Sequence, residues 1–360
     1  MTTIRCALLL SLLVPACVAA DPGDDPSTAT TSAAVTAPGG GGGGGTGTNC
    51  PWWGCGSNSP VIGPWNFHEL DADGEPNDAG LQLVVMTRKG LKYMPEVIGA
   101  ELVGHSFDEQ SYPSIRGAKV AGAILVVDAP DGTYELTIHR VARVTPYWVG
   151  PSTLNYTYEL DYQGPDQGDV RPVCGNPPIE DKSYPNALGA LLFAGDRYDA
   201  KAKAVIATGV DETRGWFNIA CAGSALAKLH LNRHTTAGED GAYVAKRPQR
   251  QAMLKMFVSD VCGTGQPFTV PGEPLHYQNA TKWMKLDGTE TSDEALWTAD
   301  GAICLDKHRL EANPSPLFPT IRQDIEDACA LAGHKLPTCA ELGVLPDQWQ
   351  KLAYLLSANP

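Results

Sequence analysis

Two histidines four residues apart offer the first possible chemistry. His230 and His234 stand in His-Leu-Asn-Arg-His. On a helix that spacing points both imidazoles the same way, as a zinc site requires. Leu231 takes the place where a metalloprotease helix carries its glutamate. Glu239, Asp240 or a distant histidine would have to complete the ligand set. The competing structural reading packs His230 beside Leu226 and leaves His234 at the negative end of the helix. A second candidate is the run Asp71-Ala72-Asp73-Gly74-Glu75-Pro76-Asn77-Asp78. Asp71 and Asp73 suit calcium, but the run lacks the glycine at its sixth position and the closing glutamate of an EF-hand loop. A solvated acidic turn is the alternative. Nucleophile patterns are poor: there is no G-x-S-x-G, and Ser224 and Lys228 are four apart rather than three. No residue is assigned a catalytic role, and zinc or calcium are the only cofactors these residues raise.

The remaining reactive groups are thiols, and their compartment decides what they do. Arg5, the apolar run Cys6–Leu13 and Val14-Pro15-Ala16-Cys17 form an export signal over residues 1–20. Val14–Cys17 resembles a bacterial lipobox, with Cys17 as the lipid attachment point. Ordinary secretion, cut after Ala20, is the competing reading. Residues 21–60 form a Gly/Pro/Ser/Thr-rich tether with seven consecutive glycines, Gly39–Gly45. Such a run behaves as a flexible coil. Eight cysteines follow the signal: Cys50, Cys55, Cys174, Cys221, Cys262, Cys304, Cys329 and Cys339. An even number outside the cytoplasm reads as disulfides, with 105 possible connectivities. Two local pairs stand out, Cys50 with Cys55 and Cys329 with Cys339.

The chain of 360 residues carries a net charge of −14. That excludes nucleic acid as a ready partner, because phosphate binding needs a basic face. No apolar run after the signal approaches the ~20 residues of a membrane-spanning helix. The expected partners are the membrane, through the lipid, and an unidentified envelope or extracellular component.

Residues 61–165 read as an antiparallel β region, with strands at 81–86, 119–128, 133–144 and 155–162 around the turn Ala129-Pro130-Asp131-Gly132. Residues 166–312 form a cysteine-containing unit, and 313–360 a C-terminal helical segment with Cys329 and Cys339. Helices are expected at 216–231, at 247–258 with Pro248 in the first turn, at 320–332 and at 346–357. The expected class is α+β: an antiparallel β unit followed by a disulfide-stapled helical and irregular region.

The stretch Arg250–Gly265, followed by Phe268–Leu275, resembles the ADYC domain family of exported proteins and predicted lipoproteins of myxobacteria. Flanking blocks at Phe217–Lys228 and Ala295–Leu305 fit as well, so the resemblance runs from about Cys174 to Arg309. The naming motif reads Ser259-Asp260-Val261-Cys262, followed by Gly263, so only its Asp and Cys survive. Related sequences carry cysteines where Leu229 and Met253 stand. This implies a bridge between two helices that an apolar contact replaces here. The family has no established activity, so the resemblance implies location and architecture and no catalytic residues. The motif has a structural explanation: Asp260 at a helix end can accept backbone N–H groups of the following turn, Gly263 and Gly265 permit left-handed backbone, and Cys262 staples the turn.

The expectation is an exported, lipid-anchored envelope protein acting by binding or as a structural surface component. The alternative is an extracytoplasmic metal-dependent hydrolase using His230 and His234.

Overall fold

The computed structural model describes residues 60–144, 155–174, 189–209, 211–221, 224–235, 245–270, 273–281, 284–316, 318–343 and 348–360. The export signal with Cys17, the tether, Cys50 and Cys55 lie outside the described residues. The strands are β1 (Val61–Ile62), β2 (Trp65–Asn66), β3 (Glu69–Asp71), β4 (Gln82–Arg88), β5 (Leu91–Ile98), β6 (Glu101–Ser106), β7 (Ile115–Arg116), β8 (Ala123–Ala129), β9 (Gly132–Val144), β10 (Asn155–Gln163), β11 (Arg171–Pro172), β12 (Ala190–Ala194), β13 (Arg197–Asp199), β14 (Ala204–Ala207) and β15 (Trp216–Cys221). Then come α1 (Ala225–Leu231), α2 (Arg247–Val258), β16 (His276–Asn279), β17 (Ser292–Thr298), β18 (Gly301–Leu305), α3 (Arg309–Ala312), α4 (Ile321–Leu331) and β19 (Leu355–Asn359).

Alternation builds the first sheet. Ala123, Leu125 and Val127 of β8 are buried, as are Tyr134, Leu136 and Ile138 of β9. Leu125 faces Leu136 and Val127 faces Tyr134 across the pair, which is how an antiparallel ladder gains most of its stability. Pro130 and Asp131 make the two-residue turn between them. The sheet runs β3-β15-β12-β10-β9-β8-β4-β5-β6-β7, with β11 on β10. It curls on itself. Ala194 N–H donates to Gly99 O at 2.8 Å, and Leu102 N–H donates to Tyr158 Oη at 2.8 Å. The apolar residues of both arms meet in one core.

The second unit is a four-stranded antiparallel sheet, β16-β19-β17-β18, on which α2 packs. Its core gathers Phe257, Tyr277, Trp297 and Leu305 with Leu229, Met253 and Ile325. Leu229 and Met253 are both fully buried where α1 meets α2. Among the described residues no helix is long and apolar enough to cross a membrane.

Strands outnumber helices over the described residues as a whole, and the expected second half is corrected in three places. Residues 216–231 do not form one helix. Trp216–Cys221 is a strand, and Ser224 caps α1 by accepting Ala227 N–H at 3.2 Å. Trp, Phe and Ile favour a strand, and the serine marks where the helix begins. Residues 346–357 hold no α-helix among those described; β19 closes the chain inside the second sheet. Ala353, Leu355, Ser357 and Asn359 are buried at period two, and a short apolar run does not distinguish that from a helix. Finally, Cys329 does not pair with Cys339. Among the described residues the disulfides are Cys174–Cys221, Cys262–Cys329 and Cys304–Cys339. In α4, Ile321, Ile325 and Cys329 are buried. That stripe turns Cys329 inward to Cys262, while Cys339 bonds β18. Each loop closure is worth about 4 kcal/mol taken alone.

Candidate functional site

The motif lies where α2 ends. Ser259 adopts the left-handed conformation (φ 52°) and terminates the helix. Asp260 follows, fully buried. Its Oδ2 accepts from Lys255 Nζ at 2.5 Å and from Gly265 N–H at 2.7 Å. Lys255 also donates to Ala202 O at 3.1 Å. The carboxylate therefore ties the helix end to the turn that follows it, and the lysine ties both to the segment after β13. Gly263 has φ +72°, and a Cβ there would stand 1.9 Å from Asp300 O. Backbone thus packs directly on the β17–β18 hairpin, where Ala302 N–H donates to Val261 O at 2.9 Å.

A buried polar chain runs from this turn. Ser259 Oγ is 2.9 Å from His308 Nε2. Glu294 lies 3.9 Å from that nitrogen and binds Arg309 through two bonds of 2.7 and 2.8 Å. Ser357 Oγ donates to Glu294 at 2.7 Å, and Trp297 Nε1 donates to Ser357 Oγ at 2.8 Å. Arg309 also donates to Met256 O at 3.0 Å, back on α2. Burial alone would raise the Glu294 carboxyl. The charge and hydrogen bonds of Arg309 outweigh it, and the group is lowered to about 2. Burial lowers His308 to about 4, so the ring is neutral.

Serine, histidine and glutamate in one cluster invite comparison with a hydrolase triad, and the bonding runs the wrong way. Leu310 N–H donates to His308 Nδ1 at 3.2 Å. Nδ1 is therefore an acceptor, and the proton sits on Nε2, which donates to Ser259 Oγ. A general base needs the opposite tautomer, with Nδ1–H held by the carboxylate and Nε2 free to take the serine proton. Ser259, His308 and Glu294 are each 0% exposed. The cluster joins α2, α3, β17 and β19; it does not present a nucleophile to a substrate.

The residues singled out from the sequence take separate places. His230 stacks on Phe193 with ring centroids 4.2 Å apart, and Thr235 Oγ1 is 3.0 Å from its Nδ1. His234 is buried and donates from Nδ1 to Asn232 O at 2.6 Å. Burial lowers these two rings to about 3 and about 4. Among the described residues neither belongs to a group of three metal-ligating side chains; Glu239 and Asp240 lie outside them. Asp71 is buried, and its Oδ1 accepts from Asp73 N–H at 2.7 Å and Glu75 N–H at 3.2 Å. Burial raises its carboxyl. Asp73 sits beside it against Gly215, and the pair shapes a turn. Ser224 is a helix cap.

A different trio does converge. His276, Asp287 and Glu290 place one ligand atom each within 4.8 Å of one another. The sequence reading missed it because His276 and Asp287 stand eleven positions apart. The turn-forming Asp287-Gly288-Thr289-Glu290 beside a histidine-bearing strand was the available signal. The buried pair Asp196–Arg250, joined at 2.5 and 3.0 Å, was equally hidden. It ties α2 to the segment between β12 and β13.

No curated protein and no solved structure is significantly similar to the chain. The family model of the ADYC domain matches residues 117–311. The match starts well before Cys174, within the first sheet, and takes in β8–β10, the Cys174–Cys221 disulfide, the motif turn after α2 and the whole Ser259–His308–Glu294 chain. Over more than half of its length the sequence fits that one description, with the motif turn at the hub of the fold: this chain belongs to the ADYC domain family.

Proposed function

We propose that this is an exported, lipid-anchored envelope protein that acts without catalysis, as a binding or structural component of the cell surface. One observation carries the non-catalytic reading. The family motif is turned inward and engaged in internal bonds: Asp260 Oδ2 with Lys255 and Gly265, Ser259 with His308, Cys262 with Cys329, while Asp260 Oδ1 is buried away from solvent. Three disulfides among the described residues support an oxidising compartment, in keeping with the signal and with Cys17 as the lipid-bearing residue. A binding role is supported by the outer face of the first sheet. Met94 and Ile98 of β5 and Val84 of β4 are each about half exposed there, and Phe107 follows β6. Met94 and Ile98 flank Glu96 on the exposed face of β5, and Glu96 pairs with His105. A contiguous apolar patch rimmed by polar residues marks contact sites.

Two experiments test this reading. Cys17→Ser should move the protein from the membrane fraction to the soluble fraction; unchanged fractionation contradicts lipid anchoring. A photo-crosslinking residue at Met94 should yield a discrete adduct in intact cells, lost when Ile98→Lys and Phe107→Ser are added. Absence of any adduct contradicts the binding face.

A further inference from the structure

We propose that His276, Asp287 and Glu290 form a site for a divalent transition-metal cation of the zinc class at the edge of the second sheet. The inference is independent of the lipid anchor and of the binding face.

The frame is rigid. β16 and β17 both pair with β19, with His276 opposite Ala358 and Ser292 opposite Asn359. Thr291 N–H donates to Asn359 O at 2.9 Å. The C-terminal strand therefore fixes the separation between His276 and Glu290 from both sides. The His276 ring is largely buried, with Nδ1 3.2 Å from Glu290 Oε1 and 3.9 Å from Asp287 Oδ1. Each carboxylate is oriented by its own turn. Glu290 accepts from the N–H groups of Asp287 and Gly288, both at 3.0 Å. Asp287 Oδ1 accepts from Thr289 N–H at 2.9 Å and from the Thr289 hydroxyl at 2.5 Å. Supporting donors of this kind are what hold metal-binding carboxylates in place.

Distance and charge both favour a metal over a simple ion pair. Ligand atoms about 2.1 Å from a tetrahedral zinc are about 3.4 Å apart. The two nitrogen–oxygen separations lie within about half an ångström of that. A protonated imidazole between two carboxylates leaves one net negative charge in a half-covered site, and its Nδ1 has a single proton for two acceptors. A dication with a neutral imidazole leaves none. The nitrogen ligand argues against calcium and magnesium, which take oxygen sets. Three protein ligands leave at least one position for water or a further ligand.

The test is zinc titration of the chelator-stripped mature protein by calorimetry, with the histidine side chains followed by NMR. One equivalent should bind, shift the His276 ring resonances and raise the melting temperature. His276→Gln and Glu290→Gln should each lose at least about tenfold in affinity, while His234→Asn binds as the parent does. NMR on the unaltered protein reports the site even if a variant folds poorly. No zinc-dependent shift of His276, or binding that persists in both variants, overturns the proposal.

Discussion

His308 Nε2 stands 2.9 Å from Ser259 Oγ, and that bond joins the residue ending α2 to the residue capping α3. Because the histidine donates, the serine oxygen is an acceptor held in place and not a nucleophile being activated. Ser259→Ala should cost about 1–3 kcal/mol, the penalty for a buried donor left without its partner. Urea unfolding measures it. A fluorophosphonate probe should leave Ser259 unlabelled in the folded parent; labelling there would revive the hydrolase reading.

Glu294 answers for more. Removing its charge leaves Arg309 buried without a counter-ion, so Glu294→Gln should destabilise by about 3–5 kcal/mol. Glu294→Gln with Arg309→Met should recover part of the loss. The carboxyl is lowered to about 2 in the fold, below its ordinary value of 4.5. Its stabilisation is therefore fully present above pH 4.5 and is lost as pH falls from there toward 2. Urea midpoints measured across that window should fall for the parent and lack this component in Glu294→Gln.

His234 gives a second pH window. Burial lowers its ring to about 4 from 6.5. Above pH 6.5 the ring is neutral in both states. Below it the unfolded chain takes a proton that the folded chain refuses, so stability is lost as pH falls through 6.5 toward 4. His234→Asn keeps a donor near Asn232 O and removes the titration. The stability difference between variant and parent should shift toward the variant by about 2.5 kcal/mol from pH 8 to pH 4.5. A pH-independent difference would place the ring in water.

Four strands of the β half were legible because their signals are local, whereas the neighbouring β5–β6 hairpin was not singled out. The alternation of β8–β10 and the Pro130-Asp131 turn are written in adjacent residues, and α2 carries its own proline at the start. What escaped depends on partners far along the chain. Leu355–Asn359 is a strand only because β16 and β17 flank it. Cys329 turns from Cys339 toward Cys262 because of its place in the Ile321–Ile325 stripe. His276 meets Glu290 only through the register that β19 imposes. The motif was read correctly in kind, since Asp260 does accept from the following turn, but its lysine partner was not visible in spacing alone.

Gly263 separates backbone strain from close packing. Gly263→Ala would set a methyl 1.9 Å from Asp300 O as well as at φ +72°. Gly288→Ala, at φ +87° with nothing within 4 Å, meets only the conformational penalty. Thermal unfolding should show a loss of about 1–2 kcal/mol for Gly288→Ala and clearly more for Gly263→Ala. Equal losses would mean that the motif turn and the β17–β18 hairpin are not in contact.

The family motif is a covalently fastened structural turn, and export is the proposal that its disulfides support. The disulfide map of thiol-blocked protein from its native membrane fraction, read by non-reducing peptide mass spectrometry, tests it most directly. The account predicts Cys174–Cys221 together with the interleaved pairs Cys262–Cys329 and Cys304–Cys339. A Cys329–Cys339 peptide, or free thiols at these positions, would contradict it.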